Sequence, residues 1–105
     1  MEQITSTEVL KRRAIEETRR WAKSNRTLVT DELRNAVNAY CAVIGADHAY
    51  DNNAEAIRFG REATAKSILL GSMYDLSREQ TQKADDALME IADDFEQEQR
   101  RGLHR

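Results

Sequence analysis

The sequence is notable first for what it lacks: it has no proline, only four glycines and a single cysteine among 105 residues. Because proline breaks the interior of a helix, its absence leaves the whole chain open to helix formation. One cysteine cannot form an internal disulfide, which suits a reducing compartment, so we expect a cytoplasmic protein. No basic-then-apolar leader follows Met1, so we do not expect secretion.

Long hydrophobic runs are also missing. The longest is Ile68-Leu69-Leu70, far short of the roughly 20 apolar residues that a transmembrane helix needs. The net charge of −3 gives no global attraction to nucleic acid or to anionic membranes. Leucine, isoleucine, valine and phenylalanine total only 20 residues, which predicts a thin core. Small domains with thin cores often gain stability by oligomerising.

Helix-start and helix-stop residues divide the first half of the chain. Thr5 and Glu8 have the spacing of a capping box, which predicts a first helix that runs to about Ser24. Thr30 is a good N-cap for a second helix. Gly45 follows the last apolar residue of that helix, and we expect the helix to stop there.

The second half of the chain predicts two more helices. The third runs from about Asn53 to Asp75, and Ser77 with Gln80 forms a capping box that begins the fourth, which Gly102 ends. We therefore expect an all-α fold, a small antiparallel bundle of four helices in one domain of residues 1–105. The bundle has three helices if the third and fourth are continuous.

The third helix is apolar on two sides. One side holds Ile68 and the other holds Leu70 and Tyr74, whereas a bundle usually covers one broad face of each helix. The second face predicts a homo-oligomer, most simply a dimer. The expected interface comprises Phe59, Gly60, Ala63, Ser67, Leu70 and Tyr74. A ridge of small residues also runs along this helix at spacings of three and four, and we interpret it as an internal helix crossing in preference to a subunit interface. Its members are Ala56, Gly60, Ala63 or Thr64, Ser67 and Gly71.

Three features resemble chemical sites without the context that such sites need. The segment 60–67 is similar to a phosphate-binding loop with Ala65 in place of the second glycine, but no strand precedes it. His48 lies in the predicted loop 45–51 without zinc or calcium spacing. Cys41 flanks the apolar stripe of the second helix, so we expect a buried thiol. We expect no catalytic residues, no metal and no cofactor.

Charge is unevenly distributed along the chain. Residues 1–26 hold seven basic and four acidic residues, whereas residues 76–99 hold two basic and eight acidic ones. The apolar stripe of the fourth helix, which we expect to be buried, comprises Ala84, Ala87, Leu88, Ile91, Ala92 and Phe95. Asp86, Glu90 and Asp93 lie away from this stripe and form a candidate acidic docking face for a protein partner. The alternative is that these residues are simply a solvated face that keeps the protein soluble.

The leading functional hypothesis is a non-enzymatic protein–protein interaction module: a small adaptor, inhibitor or regulator of the kind that bacteria, phages and plasmids encode. It acts through helix surfaces and needs no membrane. The alternative is a nucleic-acid-binding regulator that uses the basic face of the first helix. The residues that would contact phosphates are Arg12, Arg19, Arg20 and Lys23.

Overall fold

The computed structural model describes the backbone of residues 6–47 and 54–103, and the side chains of residues 7–44 and 60–94. Within these ranges the chain is all-α, with no strand. The elements are α1 (Ser6–Lys23), α2 (Asp31–Asp47), α3 (Ala54–Ser72), a 3-10 turn (Met73–Asp75) and α4 (Arg78–Leu103). Each of the four α-helices contacts the other three, so one core is shared among them.

The beginning of α2 confirms the predicted cap, and its end differs from the prediction. The backbone N–H of Leu33 donates to Thr30 Oγ1 at 3.2 Å, as an N-cap requires. The helix does not stop at Gly45 but continues to Asp47. Glycine permits the left-handed conformation that ends many helices without imposing it, and its cost inside a helix is only about 1 kcal/mol. The Thr5 cap of α1 and His48 lie outside the described residues.

The connection between α3 and α4 shows that they are two separate helices. The 3-10 turn is followed by Leu76, whose extended backbone (φ −101°, ψ 147°) interrupts the helical path. The backbone N–H of Ser77 then donates to Gln80 Oε1 at 2.9 Å, and the backbone N–H of Gln80 donates to Ser77 Oγ at 3.1 Å. This reciprocal pair is the predicted capping box. Gly102 does not end α4, since the helix includes it and continues to Leu103.

The core is built from the apolar stripes that the helical spacing predicts. Large side chains with at most 1% exposure come from α2, α3 and α4, whereas α1 contributes Trp21 and alanines. The buried apolar residues of the core cluster are Ala14, Trp21, Leu33, Val37, Tyr40, Cys41, Ala65, Ile68, Ala87, Leu88, Ile91 and Ala92. Alanine accounts for four of these twelve positions, so the core is thin, as the composition predicts.

Two fully buried hydroxyl groups are compatible with this core because each satisfies its own helix. Thr18 Oγ1 donates to the carbonyl of Ala14 at 2.7 Å, and Ser72 Oγ donates to the carbonyl of Ile68. A hydroxyl that bonds the carbonyl four residues earlier leaves no orphaned donor in the interior. These small polar side chains can therefore occupy narrow parts of the core.

The small-residue ridge of α3 is internal at one end and open at the other. A Cβ atom on Gly71 would lie 2.5 Å from Ile15 Cδ1, so α1 crosses α3 closely at this position. A Cβ atom on Gly60 would meet nothing within 4 Å. The predicted internal crossing is thus confirmed at Gly71, whereas Gly60 has open space around it.

Trp21 and Lys83 attach α4 to the end of α1. The Trp21 indole N–H donates to the carbonyl of Leu28 at 3.0 Å. Lys83 Nζ donates to the carbonyls of Trp21 (3.2 Å) and Ser24 (2.9 Å) and lies 4.4 Å from the centre of the Trp21 ring. A cation at a helix C-terminus satisfies carbonyls that have no helical partner. This contact fixes the relative position of the two helices.

Candidate interaction surfaces

The acidic face of α4 is exposed, but part of it is neutralised from α2. Asp86, Glu90 and Asp93 are all exposed. Arg34 of α2 reaches across to Asp94 at 2.8 Å and to Glu90 at 3.5 Å. This contact between helices relieves the repulsion between Glu90 and Asp94, which lie four residues apart on one face. The sequence could not predict that Arg34 pairs with α4, because the two segments are distant along the chain.

The basic face of α1 is partly used within the fold. Arg19 donates to both Asp75 carboxylate oxygens, at 3.1 Å and 2.7 Å, and Lys23 adds a third bond at 2.8 Å. The Arg19 guanidinium also lies 4.2 Å from the centre of the Tyr74 ring. Hydrogen bonds from Arg19 and Lys23 hold the pKa of Asp75 well below its usual range, and the Asp75 bond raises the pKa of Arg19. These contacts hold the 3-10 turn against α1.

The other two candidate nucleic-acid contacts, Arg12 and Arg20, are both exposed. Arg20 pairs with Glu17 at 3.0 Å, one turn earlier on α1. Residues three positions apart lie on one helix face, so these two side chains reach each other. Within the described side chains, three of the four cations proposed for nucleic acid are therefore in ion pairs.

Exposed apolar side chains continue from the second face of α3 into the 3-10 turn. Leu70 and Tyr74 expose 70% and 73% of their surfaces, and Met73 between them exposes 39%. Ala63 is also exposed, and Phe59 lies outside the described side chains. We call Leu70, Met73 and Tyr74 the α3 apolar patch. Arg19 lies over the Tyr74 ring, but the described residues leave most of the surface of Leu70 and Tyr74 exposed.

A shallow groove beside the α3 apolar patch runs between α1 and α3. We call it the α1–α3 groove. Its lining is Lys11, Ile15, Ala63, Lys66, Ser67, Leu70 and Gly71. The close approach of Ile15 to Gly71 forms the floor, because glycine lets the two helices come near each other. Sequence reasoning identified Ala63, Ser67 and Leu70 but missed the α1 side, where Lys11 and Ile15 lie one helical turn apart beside the core stripe.

Cys41 and its surroundings do not resemble a nucleophilic site. The residue is 2% exposed, as predicted for a buried thiol. Burial raises the pKa of Cys41, although the neighbouring Arg61 opposes the shift. A raised thiol pKa lowers the fraction of reactive thiolate at neutral pH. Among the described residues, no group of three potential metal-ligating side chains converges.

The segment 60–67, which is similar to a phosphate-binding loop, lies inside α3. Its helical backbone N–H groups already serve the helix, as the periodicity predicts, so they are not arranged around a phosphate. Within the described ranges, none of the helices has the length and apolar character required to cross a membrane. Comparison of the chain with protein-family models, curated proteins and solved structures gives no match.

Proposed function

We propose that the chain is a non-enzymatic protein–protein interaction module, a small adaptor, inhibitor or regulator that acts in the cytoplasm through its helix surfaces. The observation that carries the proposal is the α3 apolar patch, where Leu70 and Tyr74 are exposed by 70% and 73%. Large apolar side chains grouped on a surface commonly mark a protein-binding site, whereas scattered ones do not. Here they adjoin a groove, which adds shape to the exposed area.

Binding is favoured over catalysis by the arrangement of the reactive groups. The single cysteine is buried, and Asp86, Glu90 and Asp93 of α4 are exposed to solvent. A hydrolytic helical bundle would need carboxylates directed inward from several helices. The acidic face formed by Asp86, Glu90 and Asp93 is proposed as a second docking surface that accelerates encounter with a basic partner.

The proposal is tested by comparative affinity capture from the native host. The baits are the wild-type chain, Leu70→Glu in the α3 apolar patch, and a matched control, Asn35→Glu, at an exposed position of α2. We expect a stoichiometric partner that Leu70→Glu loses and Asn35→Glu retains, because a buried charge in an apolar interface is costly. A partner captured equally by all three baits would contradict the role of this surface.

The acidic face is tested by removing its charge. The triple variant Asp86→Asn, Glu90→Gln, Asp93→Asn should fold normally, because all three residues are exposed. It should bind a basic partner more slowly at low salt, and the difference should shrink as salt rises. An association rate that equals that of the wild-type chain at low salt would reduce this face to a solubility feature.

Two other predictions from the sequence remain predictions. A homodimer would use the same α3 face, with a second copy covering Leu70 and Tyr74. Nucleic-acid binding through α1 has less support, because Arg19 and Lys23 already contact Asp75. Labelled DNA that binds at low salt and dissociates as salt rises would favour the nucleic-acid hypothesis.

A further inference from the structure

We infer that the α1–α3 groove binds an acidic amphipathic helix of a partner protein. The inference rests on the proposed interaction function and specifies the chemistry of the partner. Three features carry it: the apolar floor of the groove, the charge of its rim, and its position between two helices.

The floor of the groove requires an apolar stripe from its occupant. Ile15 is only partly buried, and Leu70 at the edge is 70% exposed. Gly71 places no side chain between them, so the surface is concave at this point. A helix that buries its apolar face against this floor would remove both side chains from water, at about 25 cal/mol per Å² of apolar area. Phosphate groups or extended polar segments would gain nothing from such a floor.

The rim of the groove specifies the charge of the occupant. Lys11 on α1 and Lys66 on α3 line opposite sides of it, and neither forms a hydrogen bond or ion pair among the described side chains. The nearest carboxylates along the helices are Glu8 and Glu62, and Glu62 already has an interaction of its own. Acidic residues on both flanks of a bound helix would complement these two lysines.

The position of the groove favours a helix over other acidic ligands. A channel between two neighbouring helices accepts the ridge of a third, with anchors every three or four residues. The α3 lining from Ala63 to Gly71 spans about 12 Å along the helix axis, just over two helical turns. A membrane surface fits less well, because electrostatic membrane binding usually takes a cluster of about four to eight basic residues.

The charge of the rim also argues against a second copy as the occupant. Two copies related by two-fold symmetry present the same patch to each other. Face-to-face packing across this groove would bring Lys11 and Lys66 of both copies into one interface. Like charges placed together oppose association, so a partner of opposite charge is the better complement.

The test uses a labelled synthetic helix of about 14 residues, enough to span the groove. Its apolar face carries leucine at helical spacing and both flanks carry glutamate; a control peptide has lysine in place of every glutamate. Fluorescence anisotropy measures binding to the full chain. We expect the acidic peptide to bind on the order of tenfold more tightly than the basic one at low salt, with the preference shrinking at high salt.

Variants of the chain localise the binding. Lys11→Glu with Lys66→Glu should reverse the preference, so that the basic peptide binds more tightly, and the pair Lys11→Gln with Lys66→Gln should abolish it. Arg26→Glu with Arg78→Glu makes the same charge change at two exposed positions outside the groove lining and should leave the preference intact. Circular dichroism and the melting temperature of each variant confirm that the fold is retained.

Several results would overturn the inference. Equal binding of both peptides that depends on Leu70 would leave the groove as a docking site but refute the acidic partner. Sedimentation as a dimer with the groove protected would refute the acidic partner and identify a second copy as the occupant. Binding only to vesicles that contain phosphatidylserine would refute it in favour of a membrane surface. If the acidic peptide does not bind and Leu70→Glu changes no interaction, the proposed function fails as well.

Discussion

Truncation of Leu88 tests whether the apolar stripes hold the fold together. Leu88 lies on α4 with 0% exposure, within the cluster shared by all four helices. Leu88→Ala removes three carbon atoms from this site. We therefore expect both a lost transfer free energy and a residual cavity.

The magnitude follows from these two contributions. About 0.8 kcal/mol per buried methylene gives roughly 2.4 kcal/mol for three carbons. The cavity brings the expected loss of unfolding free energy to about 3 kcal/mol, within the range of about 2–5 kcal/mol for buried leucine truncations. A domain of this size has a total of about 5–15 kcal/mol. One substitution should thus remove a large fraction of the stability.

Urea unfolding followed by circular dichroism measures the effect. With a typical slope of about 1–3 kcal/mol per molar urea, the midpoint should fall by about 1–3 M. The matched control is Leu70→Ala, which makes the same chemical change at a side chain that is 70% exposed. It should change stability by less than about 0.5 kcal/mol. Equal losses in the two variants would refute the assignment of Leu88 to the core and of Leu70 to the surface.

Three further predictions concern the helix crossing, the contact to the 3-10 turn and the end of α1. Gly60→Ala should raise the melting temperature, since helix propensity gains about 1 kcal/mol and nothing lies within 4 Å, whereas Gly71→Val should lower it by forcing Ile15 away. Asp75→Asn should lower the melting temperature at neutral pH. Folding depresses the Asp75 pKa, so the stability that this ion pair contributes is fully present above the unfolded pKa of about 3.9. It is lost as the pH falls from there through the depressed folded pKa, so the difference between Asp75→Asn and wild type should vanish in acid. Lys83→Met should cost about 1 kcal/mol in urea unfolding, because the Ser24 carbonyl loses its bond from Lys83, whereas the Trp21 carbonyl keeps its two bonds from Ser24. A wild-type melting profile in any of the three would contradict the corresponding contact.

The fold class could be predicted from local chemistry because helices are largely local structures. The Ser77–Gln80 capping box needs only two side chains and two backbone N–H groups three residues apart, so it could be read directly from the sequence. The apolar spacing likewise predicted the burial of Leu88 and Ile91. Glycine was less informative, since α2 passes through Gly45 without a left-handed stop.

Long-range contacts were decided only by the tertiary structure. Arg19 and Asp75 are 56 positions apart, and Arg34 and Asp94 are 60 apart. Spacing rules along one helix cannot predict such pairs, because they depend on how whole helices pack against one another. For the same reason, the sequence suggested a set of basic residues for nucleic acid without revealing that two of them hold the 3-10 turn.

The sequence by itself determined that the chain is helical, where most helices begin, and which stripes are buried, because propensity, capping and periodicity act over a few residues. Only the tertiary structure decided that α1 crosses α3 at Gly71 and that Leu70 and Tyr74 stay exposed. It alone also decided that Lys11 and Lys66 line one groove. These features arise where surfaces of distant segments come together. The candidate binding site is one such place, since two of its seven lining residues, Lys11 and Ile15, come from α1, whose role in the groove has no local signature.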